Sequence, residues 1–222
     1  MSIAQFIDHT ILKNTTTISE VEKVCEEADE FGFAAVCIPP YYVADANQFL
    51  KNKKIKLATV IGFPYGYHQY QTKITEASGA IKDGANELDM VMNISAFRNN
   101  DMLYLENEIL EMTKLIENKD VIIKVIIESG ILSEEEIIRC CNLYKHFNVA
   151  FLKTSTGFAE KGATIEAVQI MRKHLPSHIQ IKASGGIRTY EFAKQLIDAG
   201  ATRLGCSASV AIVKEEALRL AN

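Results

Sequence analysis

The chain lacks the features that mark several large classes of protein. No apolar run approaches the roughly 20 residues of a membrane-spanning helix, so no membrane partner is expected. The N-terminal stretch MSIAQFIDHTILK carries Asp8 where a secretory leader would need an unbroken apolar segment, and it does not read as a signal peptide. No C-x-x-C pair occurs. The five cysteines, Cys25, Cys37, Cys140, Cys141 and Cys206, are odd in number and scattered, which argues against a disulfide framework or structural zinc and predicts free thiols in the cytoplasm. Histidine offers no ligand set either. Among His9, His68, His146, His174 and His178, only the last two lie four apart at helical spacing, and Pro176 between them breaks the helix they would need, so no metal is expected. Basic runs and aromatic-plus-basic stripes are missing as well. With a net charge of −4 and a pI near 5.8, nucleic acid is not an expected partner. A small anionic ligand would need a local positive site built against that overall charge.

Linkers, low-complexity tracts and repeats are also absent. The 222 residues, 48% hydrophobic and 23% charged, have ordinary globular composition and a length typical of one α/β barrel, so a single domain over 1–222 is expected. Short apolar runs at 5–8, 34–38, 57–61, 87–92, 121–127, 150–153, 179–183 and 203–206 read as strands. Helical patterns lie between most of them. The pattern at 18–31 has Ser19 as its expected N-cap and stops at Gly32; that at 133–147 opens S-E-E-E, with anions on the positive helix end; that at 189–199 stops at Gly200. Near-continuous apolar strands separated by helices indicate a parallel sheet covered on its outer face. Eight of them predict an α/β fold of the (β/α)8 TIM-barrel type. The alternative is an open doubly wound sheet, but no G-x-G-x-x-G follows the first strand.

The charges carry the functional signal. Lysine and aspartate are rarely buried unless paired, yet Asp8, Asp89, Lys124, Lys153 and Lys182 all fall in or at the carboxyl ends of expected strands. In a barrel those ends converge on the face that holds the active site. They predict a polar pocket above an apolar core. Alternation in ELDMVM puts Glu87, Asp89 and Val91 on one face. Lys153 and Lys182 are 29 residues apart, one βα unit, which places them on adjacent strands about 4.8 Å apart. A nucleophilic amine must be neutral, whereas a free lysine has a pKa of about 10.4. A second ammonium and partial desolvation both disfavour the charged form. The pair therefore reads as an amine nucleophile and its modulator, and these residues alone leave open which is which. Asp89 can move protons among them, directly or through water. The alternative is an ion-pair network of Asp89, Lys124 and Lys182 that only stabilises the barrel mouth.

A second cluster follows the last two strands. Ser184-Gly185-Gly186-Ile187-Arg188 and Gly205-Cys206-Ser207-Ala208-Ser209 occupy the loops where such barrels commonly hold phosphate. Gly157 offers a third backbone approach and Arg188 a charged one. Cys37 reads as a small core residue near the pocket rather than a nucleophile, and Cys140 and Cys141 as packing residues on a helix.

In order along the chain, DHT, AVCIPP, ATVIGFP, ELDMV, KVIIE, FLKTSTGF, IKASGGIR and RLGCS resemble the deoxyribose-phosphate aldolase family, from Asp8 to about Val213. The resemblance implies a class I aldolase that interconverts 2-deoxy-D-ribose 5-phosphate with D-glyceraldehyde 3-phosphate and acetaldehyde, without metal or other cofactor. It implies that Lys153 in KTSTG is the Schiff-base lysine, Lys182 in KASGGIR the lysine that lowers its pKa, and Asp89 the proton donor and acceptor. Gly157, Gly185, Gly186, Arg188, Gly205 and Ser207 fall where that family holds the phosphate, and Asp8, Cys37 and Lys124 match pocket-lining or supporting positions. The family also suggests a homodimer. The chain departs from it in two places: the phosphate loop reads GCSAS, and the ending ALRLAN offers no counterpart to the tyrosine that closes the tail of some members.

Overall fold

Apolar strands and amphipathic helices do alternate, and the computed structural model, which describes residues 2–221, closes the strands into a barrel. In chain order the elements are β1 (Ile7–Thr10), α1 (Ile18–Phe31), β2 (Ala35–Ile38), α2 (Val43–Phe49), β3 (Lys56–Ile61), α3 (Tyr70–Asp83), β4 (Glu87–Val91), α4 (Ile94–Arg98), α5 (Met102–Ile116), β5 (Ile122–Ile126), α6 (Glu134–Tyr144), β6 (Phe151–Lys153), α7 (Ile165–His174), β7 (Gln180–Ser184), α8 (Tyr190–Asp198), β8 (Arg203–Cys206) and α9 (Ser209–Leu220). Each strand pairs in parallel with the next and β8 pairs with β1, so the sheet has no edge. The (β/α)8 expectation holds and the open-sheet alternative does not.

Helix starts follow from local chemistry. Thr17 and Ser133 open α1 and α6 as capping boxes, in which Glu20 and Glu136 reach back to the cap N–H. Ser19, the expected cap of α1, lies instead inside its first turn. Thr17 has the extended backbone a cap needs (φ −107°, ψ 162°) and stands three residues before Glu20. Thr164 and Thr189 cap α7 and α8. The start of α9, like those of α2 and α3, has no side-chain cap, so Ala208 leaves the first N–H groups of that helix without one.

The first strand begins two residues later than expected. Ile3–Phe6 form a 3₁₀ turn anchored by Glu216 of α9, whose carboxylate accepts from Ile3 N–H at 3.0 Å and from Ser2 Oγ at 2.7 Å. Strand side chains alternate with period two, so a shift of two keeps Asp8 facing the barrel axis.

The outer faces of the strands and the inner faces of the helices form one continuous apolar core, which includes Leu88, Met90, Val125, Leu152, Ile181 and Leu204 with Ile109, Cys140, Cys141 and Leu196. The barrel interior corrects the expected layering of a polar pocket over an apolar core. There Cys37, Ala58 and Val60 form a small apolar cluster of their own, with Leu12 and Phe63 beside it. Asp8, Glu87, Asp89, Lys124 and Lys182, all buried, occupy the space that branched side chains fill in other barrels. Small residues leave room for the long lysine stems. A Cβ added at Gly205 would lie 3.2 Å from Lys182 Cε and 2.9 Å from Ser184 Cβ.

Candidate functional site

Strand register brings the charges together. Asp89 on β4 lies opposite Lys124 on β5, and Lys153 on β6 opposite Lys182 on β7. Asp89 is the hub: its Oδ1 accepts from Lys124 Nζ at 2.8 Å, and its Oδ2 from both Lys153 Nζ at 2.7 Å and Lys182 Nζ at 2.6 Å. Lys182 Nζ also donates to Asp8, and Lys124 Nζ pairs with Glu87 Oε2 at 2.5 Å. Arg203, at the start of β8, closes the network by donating to Asp8 Oδ1 at 2.6 Å and Glu87 Oε2 at 3.2 Å.

Counting charges distinguishes the two lysines. Within this network three carboxylates (Asp8, Glu87, Asp89) face four cations (Lys124, Lys153, Lys182, Arg203), an excess of one positive charge. Relief comes most cheaply at the least compensated cation. Lys182 contacts two carboxylates and Lys124 three, whereas Lys153 contacts only Asp89, which it shares with both. Burial pushes the Lys153 ammonium below the ordinary lysine range, opposed by Asp89 and reinforced by the charge on Lys182. Burial acts on Lys182 in the same direction, but Asp8 and Asp89 more than reverse it and hold the group above that range.

Both Asp8 and Asp89 shift downward. Burial raises the Asp8 pKa, yet Lys182, Lys124 and Arg203 together bring it from 3.8 down to about 2; Lys124, Lys153 and Lys182 likewise hold Asp89 well below the carboxylate range. An acid whose folded pKa is depressed stabilises the fold above its unfolded value and loses that stabilisation as pH falls toward the folded one. Urea midpoints should therefore fall as pH drops from 3.8 toward about 2, the window set by Asp8. A midpoint unchanged across that window would contradict the paired state of the carboxylates.

Above the network lies a cavity of about 330 Å³. Seven of the residues singled out from the sequence line it: Lys153, Gly157, Gly185, Gly186, Arg188, Gly205 and Ser207. The other five do not. Asp8, Asp89, Lys124 and Lys182 sit beneath it as the ion network, and Cys37 lies in the apolar patch, its thiol pushed up by burial to about 11. Of the network lysines, only Lys153 reaches the cavity. Its lining carries Lys13, Lys153 and Arg188 and no carboxylate, so it suits an anion despite the negative charge of the whole chain. Gly157, Gly185 and Gly186 have φ of 86°, 88° and 79°, a conformation that exposes successive N–H groups and that L side chains rarely adopt. Close packing adds to the constraint: a Cβ at Gly185 would press on Gly162 Cα at 3.0 Å and Gly157 Cα at 3.3 Å. The uncapped start of α9 directly follows the Gly205 loop. His9 anchors that start from outside the barrel, with Nδ1 3.0 Å from Ser209 Oγ and Nε2 2.7 Å from Glu27 Oε2.

Reading the sequence missed Arg203, Gly162, Phe158, Leu12, Lys13 and Thr156. Arg203 was findable, because it shares a strand face with Gly205. Gly162 was not, since only the folded loops press it against Gly185. Among the described residues, no three His, Cys, Asp or Glu side chains are grouped to hold a metal ion.

The family model described as DeoC/LacD family aldolase matches residues 2–213. A deoxyribose-phosphate aldolase of Caldanaerobacter subterraneus subsp. tengcongensis is 49% identical over 216 residues, covering 97% of this chain and 94% of that protein. One from Clostridioides difficile is 45% identical, with 96% of each chain covered. Among solved structures, a deoxyribose phosphate aldolase from Aeropyrum pernix, described as a tetramer, superposes with a TM-score of 0.91 at 28% identity, covering 97% of this chain and 91% of its own.

Proposed function

The chain belongs to the DeoC/LacD family of aldolases, and from that premise we propose that it cleaves 2-deoxy-D-ribose 5-phosphate reversibly to D-glyceraldehyde 3-phosphate and acetaldehyde through a Schiff base on Lys153. One observation carries the assignment: Lys153 is the network lysine that both reaches the cavity and has its pKa driven down.

In cleavage, the neutral Lys153 amine attacks the C1 carbonyl of the open-chain sugar. The resulting carbinolamine loses water to give the iminium, an electron sink. Loss of the C3 hydroxyl proton then breaks the C2–C3 bond, and its electron pair passes to C2 as the enamine. Glyceraldehyde 3-phosphate leaves, C2 takes up a proton, and water releases acetaldehyde and restores the amine. Asp89 Oδ2 bridges the two amines, so a proton can pass between them by way of one oxygen or through a water held there. Lys182, kept as an ammonium by Asp8 and Asp89, maintains the positive field that disfavours a charge on Lys153.

Gly157, Gly185, Gly186, Gly205 and Ser207 present backbone and hydroxyl donors to the phosphate, with the N-terminus of α9 behind them and the exposed Arg188 at the rim. Arg188→Ala is expected to raise KM for the sugar phosphate roughly tenfold and to leave kcat little changed, because a charge-assisted contact of about 1.5–3 kcal/mol is lost equally from ground and transition states. Steady-state kinetics check this; an unchanged KM would remove Arg188 from the phosphate site.

The expected setting is the cytoplasm and the expected assembly a homodimer. The five cysteines are free and buried, and no helix among the described residues is long and apolar enough to cross a membrane. The direct test is turnover: the purified protein should release acetaldehyde and glyceraldehyde 3-phosphate in equal amounts. Thermal stabilisation by inorganic phosphate with no release of aldehyde would instead favour a non-catalytic phosphosugar-binding barrel.

A further inference from the structure

Glu128, the last residue of KVIIE, takes no part in the reaction as written. It follows β5 and has a left-handed backbone (φ 55°, ψ 56°). The other non-glycine residues with positive φ among the described ones are Asn52, Asn100 and Asn118, of a type that tolerates that conformation. A glutamate held there is strained, and such strain clusters at functional sites. The chain on either side is tied to β6 and the residue after it. Ile127 N–H donates to Lys153 O at 3.0 Å, and Ser129 N–H to Thr154 O at 2.7 Å. Between these two bonds the turn directs the buried Glu128 side chain to Thr156, its carboxylate's hydrogen-bond partner among the described residues. Thr156 Oγ1 donates at 2.5 Å and Thr156 N–H at 3.3 Å.

Thr156 lines the same cavity as Lys153. Its hydroxyl has one proton and two lone pairs. The proton goes to Glu128, and one lone pair accepts from Phe158 N–H at 3.1 Å. One lone pair remains. With Glu128 ionised, Thr156 can therefore accept a hydrogen bond from the cavity but cannot give one. A hydroxyl can donate to it; a carbonyl or phosphate oxygen finds no donor there.

We propose that Glu128 is a positioning residue that fixes the Thr156 hydroxyl as the acceptor for a substrate hydroxyl, and so favours hydroxylated carbon chains over those without one. This rests on the aldolase reading above. The test compares two substrates: turnover of 2-deoxyribose 5-phosphate, and borohydride trapping of acetaldehyde, which has no hydroxyl, at Lys153. Glu128→Ala should lose about tenfold in kcat/KM on the sugar phosphate, the scale of one lost hydrogen bond, while trapping acetaldehyde within about threefold of the parent. Glu128→Gln, which retains an acceptor oxygen, should recover most of the loss. Thr156→Val should match Glu128→Ala on the sugar phosphate, and the double variant should be no worse than either single, because both remove one contact. Thr156→Val carries the test if Glu128→Ala does not fold. Equal losses on both substrates, or losses that multiply in the double variant, would overturn the proposal. A parent that traps no acetaldehyde would instead overturn the aldolase reading, and this inference with it.

Discussion

Replacing Lys182 by methionine is expected to lower turnover at neutral pH by roughly two to three orders of magnitude and to return much of it at alkaline pH. The reason is the charge balance inside the barrel. The parent network sets four cations against three carboxylates, so one lysine is poorly compensated and holds its proton less firmly than an ordinary lysine. Lys182→Met makes the numbers equal. Asp89 then has two ammonium partners rather than three, binds the Lys153 proton more firmly, and keeps the amine charged. Each unit by which the Lys153 pKa rises costs about tenfold in neutral amine at pH 7, and that loss is recovered as pH climbs. Methionine fills most of the volume of the lysine stem, so the fold should survive. The pH profile of kcat/KM is the measurement: its rising limb should move to higher pH. A uniform loss at every pH would mean that Lys182 acts in some way other than on the Lys153 proton.

Asp89→Asn should have the opposite electrostatic effect and a larger structural one. It leaves four cations with two carboxylates in a buried network, and breaking such a network by removing one partner costs about 3–5 kcal/mol. For a chain of this size that is a fall in Tm of roughly 10 °C. The Lys153 amine, freed of its one carboxylate, loses its proton more readily than in the parent. Yet the bridge between the two nitrogens is gone, and amide groups do not relay protons as a carboxylate does. The variant should therefore still form an adduct with acetaldehyde while turnover of the sugar phosphate falls at least about a thousandfold, since general acid–base catalysis contributes roughly 10²–10⁴. Melting curves and paired trapping and turnover assays decide it. Parent-like turnover, or an unchanged Tm, would place Asp89 outside both roles.

The fold was largely legible because it depends on local patterns. Apolar runs of four to seven residues between amphipathic stretches specify strands with helices packed outside them, and Thr17-Ile18-Ser19-Glu20 and Ser133 with Glu136 mark helix starts by chemistry that a linear reading can see. The adjacency of Lys153 and Lys182 was legible for a related reason, since one βα unit separates neighbouring strands. What decides between them was not. The partner that keeps Lys182 charged is Asp8, 174 residues away on β1, and it becomes a neighbour only when the barrel closes. The same holds for Arg203, which meets Glu87 across the interior 116 residues away. The charged interior itself was hidden by an expectation about layers: lysines at strand ends suggested a mouth above an apolar core, whereas Cys37, Ala58 and Gly205 leave space for lysine stems below. Glu128 shows a third limit, because nothing in KVIIE announces a left-handed glutamate.

The central claim is that one lysine of the pair is neutral and meets the substrate. It is tested most directly by incubating the protein with acetaldehyde and borohydride and mapping the modified peptide. The account predicts a mass increase of one ethyl group on the peptide that carries Lys153, with Lys182 and Lys124 unmodified. Modification of Lys182 in its place, or no modification of any lysine in the barrel, would contradict it.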